Sequence, residues 1–237
     1  SRGLGDVYKR QGEGDQLFGA GGDDTLEGGS GYDLLQGGEG DDQLDGGSYN
    51  DTLQGGDGDD TLIGGSGNDS LEGGQGKDTI RGGAGDDVMY GRNHNDVLEG
   101  EAGDDTMQGS NGADTLDGGK GSDLLIGAGN GDETGDTYVL SSGDDTIQGY
   151  KDGDEIILSQ DLIEKRLSSK QVAVKRTTID GKGAALLSFE LEGQQHTTTV
   201  IGVNDAEYGE LEDTTFEFQD IKSTPVSYTH LTLPTKA

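Results

Sequence analysis

An aspartate recurs at every ninth position of this sequence, from residue 24 to residue 123. Each lies in a nine-residue unit that begins with glycine, as in GGDGDDTLI at residues 55–63. Carboxylate oxygens at a fixed spacing, set among glycines with accessible backbone carbonyls, could ligate a hard divalent cation such as Ca²⁺. The candidate metal ligands are Asp24, Asp33, Asp42, Asp51, Asp60, Asp69, Asp78, Asp87, Asp96, Asp105, Asp114 and Asp123.

The charge of the chain also requires a cationic partner. The net charge is −32 and only 28% of residues are hydrophobic, a composition typical of disordered proteins unless the charge is compensated. Residues 19–126 contain 25 acidic and 4 basic side chains, a net −21; up to about ten Ca²⁺ ions would nearly cancel it. Nucleic acids and anionic membranes are themselves negative and are poor partners. No apolar run is long enough to predict a transmembrane segment.

No residues with an evident catalytic arrangement occur elsewhere in the sequence. The chain has no cysteine, which excludes disulfides and thiolate metal sites, and it has neither H-E-x-x-H nor G-x-S-x-G. Its three histidines, His94, His196 and His230, are scattered, which favours surface roles over a zinc site. We therefore predict that this chain is not itself an enzyme, although a catalytic module could lie upstream of it.

Twelve nine-residue units follow one another without insertion from residue 19 to residue 126. Position one is always glycine, position six is always aspartate and position eight is always aliphatic. We expect positions one to six to form a turn and positions seven to nine a short strand, with the side chain of position eight facing the core. The position-eight residues are Leu26, Leu35, Leu44, Leu53, Leu62, Leu71, Ile80, Met89, Leu98, Met107, Leu116 and Leu125.

We expect two such units to make one circuit of a solenoid, so that alternate units stack on the same edge. Neighbouring circuits in a parallel sheet lie about 4.8 Å apart, which brings the oxygens of two turns within reach of one ion. All-oxygen ligation with irregular geometry suits Ca²⁺ better than Mg²⁺. One edge is predicted to carry Asp24, Asp42, Asp60, Asp78, Asp96 and Asp114, and the other Asp33, Asp51, Asp69, Asp87, Asp105 and Asp123.

Position four of the unit is predicted to require a positive φ angle. It is glycine in ten of the twelve units, and the two exceptions are Tyr49 and His94. Glycine adopts φ > 0 without steric cost, whereas other residues adopt it only at a steric cost. We expect a side chain at either exception to strain its turn or to force a different turn.

The repeated unit resembles the nonapeptide G-G-x-G-x-D-x-U-x of the RTX (repeats-in-toxin) family. The match covers about half of the chain, in twelve copies that keep one register. The resemblance implies an all-β fold, a right-handed parallel β-roll with Ca²⁺ in its turns, followed by a small β-rich C-terminal cap. It also implies export by a type I secretion apparatus, and hence a secreted, extracellular or cell-surface location.

The sequence is predicted to divide into five segments. Residues 1–11 and 225–237 resemble translated sequencing adapters, because DNA encoding DVYKRQ and PVSYTHL fits one inverted repeat read on opposite strands. The chain would then be a fragment of a longer protein. The β-roll is predicted over 12–126. Degenerate last circuits with weak or no calcium are predicted over 127–158, where the register slips by four residues within 127–135 and aspartates then recur nine residues apart, without paired glycines, at Asp136, Asp145 and Asp154. A secretion-associated β cap is predicted over 159–224, with an unrelated small β domain as the alternative. The predicted elements of the cap are a short helix at 162–167 and strands at 171–179, 184–192, 196–203 and 214–221.

Three functions fit these features. The first is a calcium-binding β-roll module of a secreted bacterial protein, which folds on binding calcium outside the cell. The second is the C-terminal carrier part of a secreted hydrolase or toxin whose catalytic module lies upstream. The third is a calcium-dependent adhesion or matrix protein. The sequence does not indicate a ligand for the cap.

Overall fold

The computed structural model describes residues 7–9, 12, 14–128, 134–150, 154–159, 173–179, 182–191, 194–201 and 230–231. Regular secondary structure in these residues consists of β-strands, and none of it is a helix that could span a membrane. The strands are β1 (Val7–Lys9), β2 (Gln16–Gly21), β3 (Thr25–Ser30), β4 (Leu34–Glu39), β5 (Gln43–Ser48), β6 (Thr52–Asp57), β7 (Thr61–Ser66), β8 (Ser70–Gln75), β9 (Thr79–Ala84), β10 (Val88–Asn93), β11 (Val97–Ala102), β12 (Thr106–Asn111), β13 (Thr115–Asp117), β14 (Lys120–Gly121), β15 (Leu124–Ala128), β16 (Thr137–Leu140), β17 (Ser142–Gly143), β18 (Thr146–Gln148), β19 (Glu155–Leu158), β20 (Ala173–Ile179), β21 (Lys182–Leu191), β22 (Gln194–Ile201) and β23 (His230–Leu231).

The chain alternates between two sheets, here called sheet A and sheet B. Sheet A has the order β1-β3-β5-β7-β9-β11-β13-β16-β19-β23, with β14 and β17 beside it. Sheet B has the order β2-β4-β6-β8-β10-β12-β15-β18-β22-β21-β20. Because consecutive strands of the roll belong to different sheets, each pair of units closes one circuit. The predicted parallel β-roll is confirmed.

The register of the strands repeats every two units. Leu44 pairs with Leu62 in sheet A, and Leu53 pairs with Leu71 in sheet B, both in parallel. All twelve position-eight side chains are buried and belong to a single core cluster, as expected. The core is therefore a row of single aliphatic side chains along the axis of the roll.

The strands of the roll are longer than the sequence predicted. From β2 to β12 each has six residues and runs from position seven to position three of the next unit. Thr61–Ser66, for example, is followed by a turn of only three residues, 67–69. The paired glycines at positions one and two thus belong to strands, because their backbone groups pair with the circuits on either side.

The four-residue slip within 127–135 is confirmed by the register of the last circuits. Leu116 pairs with Tyr138, and Leu125 pairs with Ile147, so this circuit is four residues longer than the others. The original spacing returns with the pairing of Tyr138 and Ile156. Both of these side chains and Ile147 are buried in the same core cluster, which continues past residue 126.

Antiparallel strands close the C-terminal end of sheet B. β22 pairs in parallel with β18, bringing Val200 beside Ile147, and β21 and β20 then add in antiparallel order. These three strands correspond to those predicted at 171–179, 184–192 and 196–203. The predicted helix at 162–167 and strand at 214–221 lie outside the described residues.

Two short strands belong to the segments that resemble adapters. β1 pairs in parallel with β3, with Val7 opposite Thr25, and β23 pairs in antiparallel fashion with β19. An exposed sheet edge accepts many short extended segments, whatever their origin. The adapter origin of 1–11 and 225–237 stays a prediction.

Candidate metal centre

The twelve predicted ligands lie in two columns, one along each edge of the roll, and all are buried. In each column the Oδ1 atom of one aspartate accepts a hydrogen bond from the backbone N–H of the aspartate one circuit earlier. Asp51 N donates to Asp69 Oδ1 at 2.7 Å on one edge, and Asp60 N donates to Asp78 Oδ1 at 2.9 Å on the other. The predicted assignment of aspartates to the two edges agrees with these bonds.

The other carboxylate oxygen, Oδ2, is buried without a hydrogen bond. Within the described residues this holds for Asp33, Asp42, Asp51, Asp60, Asp69, Asp78, Asp87, Asp96, Asp105, Asp123 and Asp145. A buried anionic oxygen without a donor is costly, because it loses its hydration and gains nothing in exchange. A bound cation would remove that cost.

Apart from that of Asp145, each of these oxygens faces a small space beside the position-one glycine of its own unit. A methyl group built on Gly64 would lie 2.5 Å from Asp69 Oδ2 and 2.7 Å from the carbonyl oxygen of Gly82. A methyl group on Gly28 would similarly lie 2.5 Å from Asp33 Oδ2. Carboxylate and carbonyl oxygens from neighbouring circuits therefore converge at the turns, and this donor set fits Ca²⁺.

The remaining ligands of such sites must come mostly from the backbone. Among the described residues, no three histidine, aspartate or glutamate side chains come together as a cluster that could hold a metal. Backbone carbonyls are normal calcium ligands, so one or two carboxylates per site are sufficient.

Burial raises the pKa of the position-six aspartates Asp42, Asp51, Asp60, Asp69, Asp78, Asp87, Asp96, Asp105 and Asp123. The pKa of Asp51 and Asp87 rises to about 7 and that of Asp96 to about 8, although the hydrogen bond that each accepts from the backbone opposes the shift. Neighbouring carboxylates of the same column raise the pKa further, as Asp69 and Asp33 do for Asp51. Without a cation these groups hold protons close to neutral pH.

The two exceptions at position four do adopt positive φ. The φ angle is 77° at Tyr49 and 75° at His94, whereas the glycines at this position range from 109° at Gly22 to 142° at Gly103. Position two has the same requirement, which the sequence analysis did not foresee. Non-glycine residues with positive φ at position two are Ala20, Arg92, Glu101 and Ser110.

The hydrogen bonds around both exceptions differ from those of regular turns. The N–H of a position-four glycine usually donates a hydrogen bond to a carbonyl oxygen of the next circuit. The length of this bond is 2.7 Å for Gly40 and 2.8 Å for Gly58. Beside Tyr49, the bond from Gly31 lengthens to 3.2 Å. Beside His94, the N–H of Gly76 donates instead to the imidazole Nδ1 at 3.2 Å.

Position five forms a second ladder that the sequence analysis missed. Asp59 N donates to Asp41 Oδ1 at 2.9 Å, and Asn68 N donates to Asn50 Oδ1 at 3.0 Å. Here the acceptor lies one circuit before the donor, the reverse of the position-six ladder. The signal was present, since eight of the twelve units have Asp or Asn at position five.

Three further aspartates extend the two columns beyond residue 126. Asp114 N donates to Asp136 Oδ1 at 3.1 Å, Asp123 N to Asp145 Oδ1 at 3.3 Å, and Asp136 N to Asp154 Oδ1 at 2.9 Å. Their ninefold spacing is evident in the sequence, but they are not among the twelve predicted ligands because the paired glycines are absent there. The geometry of the columns nevertheless continues into these last circuits.

Comparison with known proteins identifies the repeat. A family model described as the RTX calcium-binding nonapeptide repeat (four copies) matches eight overlapping segments that together span residues 18–161. Among solved structures, the extracellular lipase LipA from Serratia marcescens is similar, with 20% identity over 85% of this chain and a TM-score of 0.36. The chain spans 39% of the length of that lipase. No curated protein matches the chain.

Proposed function

Because the chain belongs to the RTX family of calcium-binding nonapeptide repeat proteins, we propose that it is a β-roll module of a secreted protein that folds when calcium binds outside the cell. The observation that supports this most strongly is the double column of buried carboxylates, in which Oδ2 atoms such as those of Asp33, Asp51 and Asp69 lack hydrogen-bond donors and lie near carbonyl oxygens of the next circuit.

The calcium ligands we propose are the twelve position-six aspartates, with Asp136 and Asp145 as additional members of the columns. Carbonyl oxygens of the turn glycines would complete each site. Calcium supplies positive charge between circuits, where it neutralises the carboxylates and links one turn to the next. The role of the metal is structural, and no catalytic step is assigned to it.

Export and folding are coupled in this proposal. At the low calcium concentration of a cytoplasm, a repeat region with a net charge of −21 repels itself and gains little from one core side chain per nine residues. An unfolded chain suits passage through a secretion channel. Millimolar extracellular calcium would then bind only the folded state and stabilise it by mass action.

Calcium-dependent folding is directly measurable. Far-ultraviolet circular dichroism of residues 12–224 is expected to show coil in a chelator and β structure at millimolar calcium, with a cooperative transition. Magnesium is expected to substitute poorly, because it demands a tighter octahedral site and retains its waters. Full β content in chelator would contradict the proposal.

The carrier hypothesis concerns residues beyond this chain. The full gene sequence would test it, since the hypothesis requires a hydrolase or toxin module in the same reading frame upstream of the roll. A catalytic module there would make this chain the calcium-dependent C-terminal part of a secreted enzyme.

A further inference from the structure

The two edges of the roll present different chemistry to solvent. Positions three to five of the first circuits read EGD (39–41) and DGD (57–59) on one edge, here called the acidic edge. The same positions on the opposite edge read SGY (30–32), SYN (48–50) and SGN (66–68), without a charged residue. A chain with a net charge of −32 thus keeps one neutral surface, which we call the tyrosine patch. The patch consists of Ser30, Tyr32, Tyr49, Asn50, Ser66 and Asn68, all exposed.

The aromatic rings of the patch are strongly exposed and lie side by side. Tyr32 is 67% exposed and Tyr49 is 55% exposed, the largest values among the exposed large hydrophobic residues of the described structure. Their ring centroids are 5.6 Å apart, with an angle of 53° between the planes. Two tyrosines on adjacent circuits therefore form one tilted aromatic platform.

Tyr49 occupies its place at a cost to the fold. It stands at position four with φ 77°, where ten of the twelve units have glycine. A non-glycine residue in this region is strained, and an exposed side chain recovers little of that cost by packing. Because the backbone strain at Tyr49 does not stabilise the fold, it is a physical reason to look for a role of this side chain in binding.

Neutral hydrogen-bonding groups surround the platform. The Oδ1 atom of Asn50 accepts the N–H of Asn68 at 3.0 Å, and the Oδ1 of Asn68 accepts the N–H of Asp86 at 3.2 Å. These bonds fix the orientation of both amide groups and leave each Nδ2 as a donor. The exposed hydroxyl of Ser30, in the circuit of Tyr32, adds a donor and an acceptor, whereas the Ser66 hydroxyl donates to the carbonyl of Gly47 at 3.5 Å and adds an acceptor.

We propose that the tyrosine patch binds a neutral carbohydrate chain. Apolar C–H faces of sugar rings stack on tyrosine rings, while sugar hydroxyls pair with asparagine amides and serine hydroxyls. A cationic ligand would be drawn to the acidic edge instead, and an anionic ligand would be repelled by the net charge of the molecule. This inference goes beyond the proposed calcium role and requires only that the roll be folded.

Binding is tested with the whole chain at saturating calcium. The probes are maltohexaose, cellohexaose and chitohexaose. Their binding is measured by isothermal titration calorimetry and by saturation-transfer NMR on the sugar protons. At least one hexaose is expected to bind, with sugar protons receiving saturation from tyrosine rings. Tyr32→Ala and Tyr49→Gly are each expected to weaken binding by about tenfold or more, since each removes one stacking surface.

Two comparisons separate binding from folding. Phe18→Ala removes a ring that is 50% exposed but lies outside the patch, and it is expected to leave binding unchanged. Tyr49→Gly restores the usual glycine, so it should lower the calcium midpoint of folding while it weakens sugar binding. An intact β spectrum with no binding to any of the three hexaoses would contradict this proposal and leave the calcium role standing.

Other results would also overturn the carbohydrate assignment. Equal binding by the wild type and both tyrosine variants would place the sugar elsewhere. Binding of tetramethylammonium in place of the hexaoses would make the platform a cation site. The protein could instead form a calcium-dependent dimer and bind no sugar. If both tyrosine variants lost that dimer, the tyrosine patch would bind a second copy of this chain.

Discussion

The glycines of the repeat satisfy two different physical demands. Gly64 at position one does not have a positive φ, but a methyl group there would meet Asp69 Oδ2 and the carbonyl of Gly82. Gly65 at position two has φ 108°, and Gly67 at position four has φ 133°. Position one therefore needs space beside the carboxylate, whereas positions two and four need a conformation that other residues rarely adopt.

Replacement of Gly64 by alanine is expected to disturb the calcium site by crowding. The added methyl group must displace Asp69 Oδ2 or the neighbouring carbonyl, at a cost of about 1–3 kcal/mol. The calcium midpoint of folding, followed by circular dichroism, should rise several-fold. Ser66→Ala, at an exposed position of the same strand, is the control and should leave the midpoint unchanged. Equal midpoints for the two variants would show that the space beside Asp69 is not part of a site.

Adjacent aspartates of one turn offer a matched test of the ligand assignment. Asp87 at position six is buried and Asp86 at position five is exposed, yet each accepts a backbone N–H across circuits, from Asp69 and Asp104 respectively. Asn keeps the acceptor oxygen and removes only the charge. Asp87→Asn should raise the calcium midpoint by about tenfold or more, because the affinity of a calcium site depends on the number of charged ligands. Asp86→Asn should change it little, and a larger effect of Asp86→Asn would reverse the assignment.

At the level of the strands, the sequence predicted the register but not the strand length. The strict ninefold spacing of Leu53 and Leu62 places every aliphatic side chain inward when two units make one circuit, as the pairing at 18-residue intervals shows. Whether Gly55-Gly56 belongs to a turn or to a strand depends on backbone pairing with the circuits above and below, which local glycine content does not reveal. The ladder through Asp41 and Asp59 was missed for the same reason, since its partners lie 18 residues apart.

The ninth unit, residues 91–99, is expected to be a soft spot of the roll. Arg92 and His94 both carry positive φ there. The guanidinium of Arg92 pairs with Glu72 at 2.9 Å and lies over the ring of Tyr90. An exposed ion pair contributes little to stability. Loss of the pair with Glu72 would therefore offset only part of the strain energy that a glycine at position 92 relieves.

Substitution by glycine tests this soft spot. His94→Gly should lower the calcium midpoint, because it relieves strain of about 1–3 kcal/mol and restores the regular turn. Arg92→Gly should lower it less, because it also removes the pair with Glu72. Amide hydrogen exchange at subsaturating calcium should be fastest around residues 91–96. Uniform exchange along the roll, with unchanged midpoints in both variants, would contradict the strain account.

On the scale of the whole molecule, electrostatics decides when the roll folds. Two columns of buried carboxylates run the length of the repeats, and the antiparallel strands β20–β22 continue sheet B beyond them. Each circuit shares its aspartates with both neighbours through the backbone-to-carboxylate bonds, so occupancy of one turn favours the next. Calcium binding is therefore expected to be cooperative along the roll.

Protons and calcium compete for the same carboxylates, so pH should act in opposite directions with and without the metal. Burial raises the pKa of Asp78 to about 6, that of Asp60 to about 7 and that of Asp96 to about 8, all above the ordinary value of 3.8. In the calcium-free protein the folded state thus binds more protons than the unfolded chain. Its free energy of unfolding is greatest in acid and falls as the pH rises through about 6 to 8.

Acidification should therefore induce β structure in the calcium-free chain and weaken calcium binding in the folded one. Circular dichroism of calcium-depleted protein should show β content rising as the pH falls from 8 to about 5. Over the same range the calcium midpoint should move to higher concentration, since each ligand must lose its proton before the metal binds. A calcium midpoint that is constant between pH 5 and 8 would show that the buried columns are not the calcium ligands.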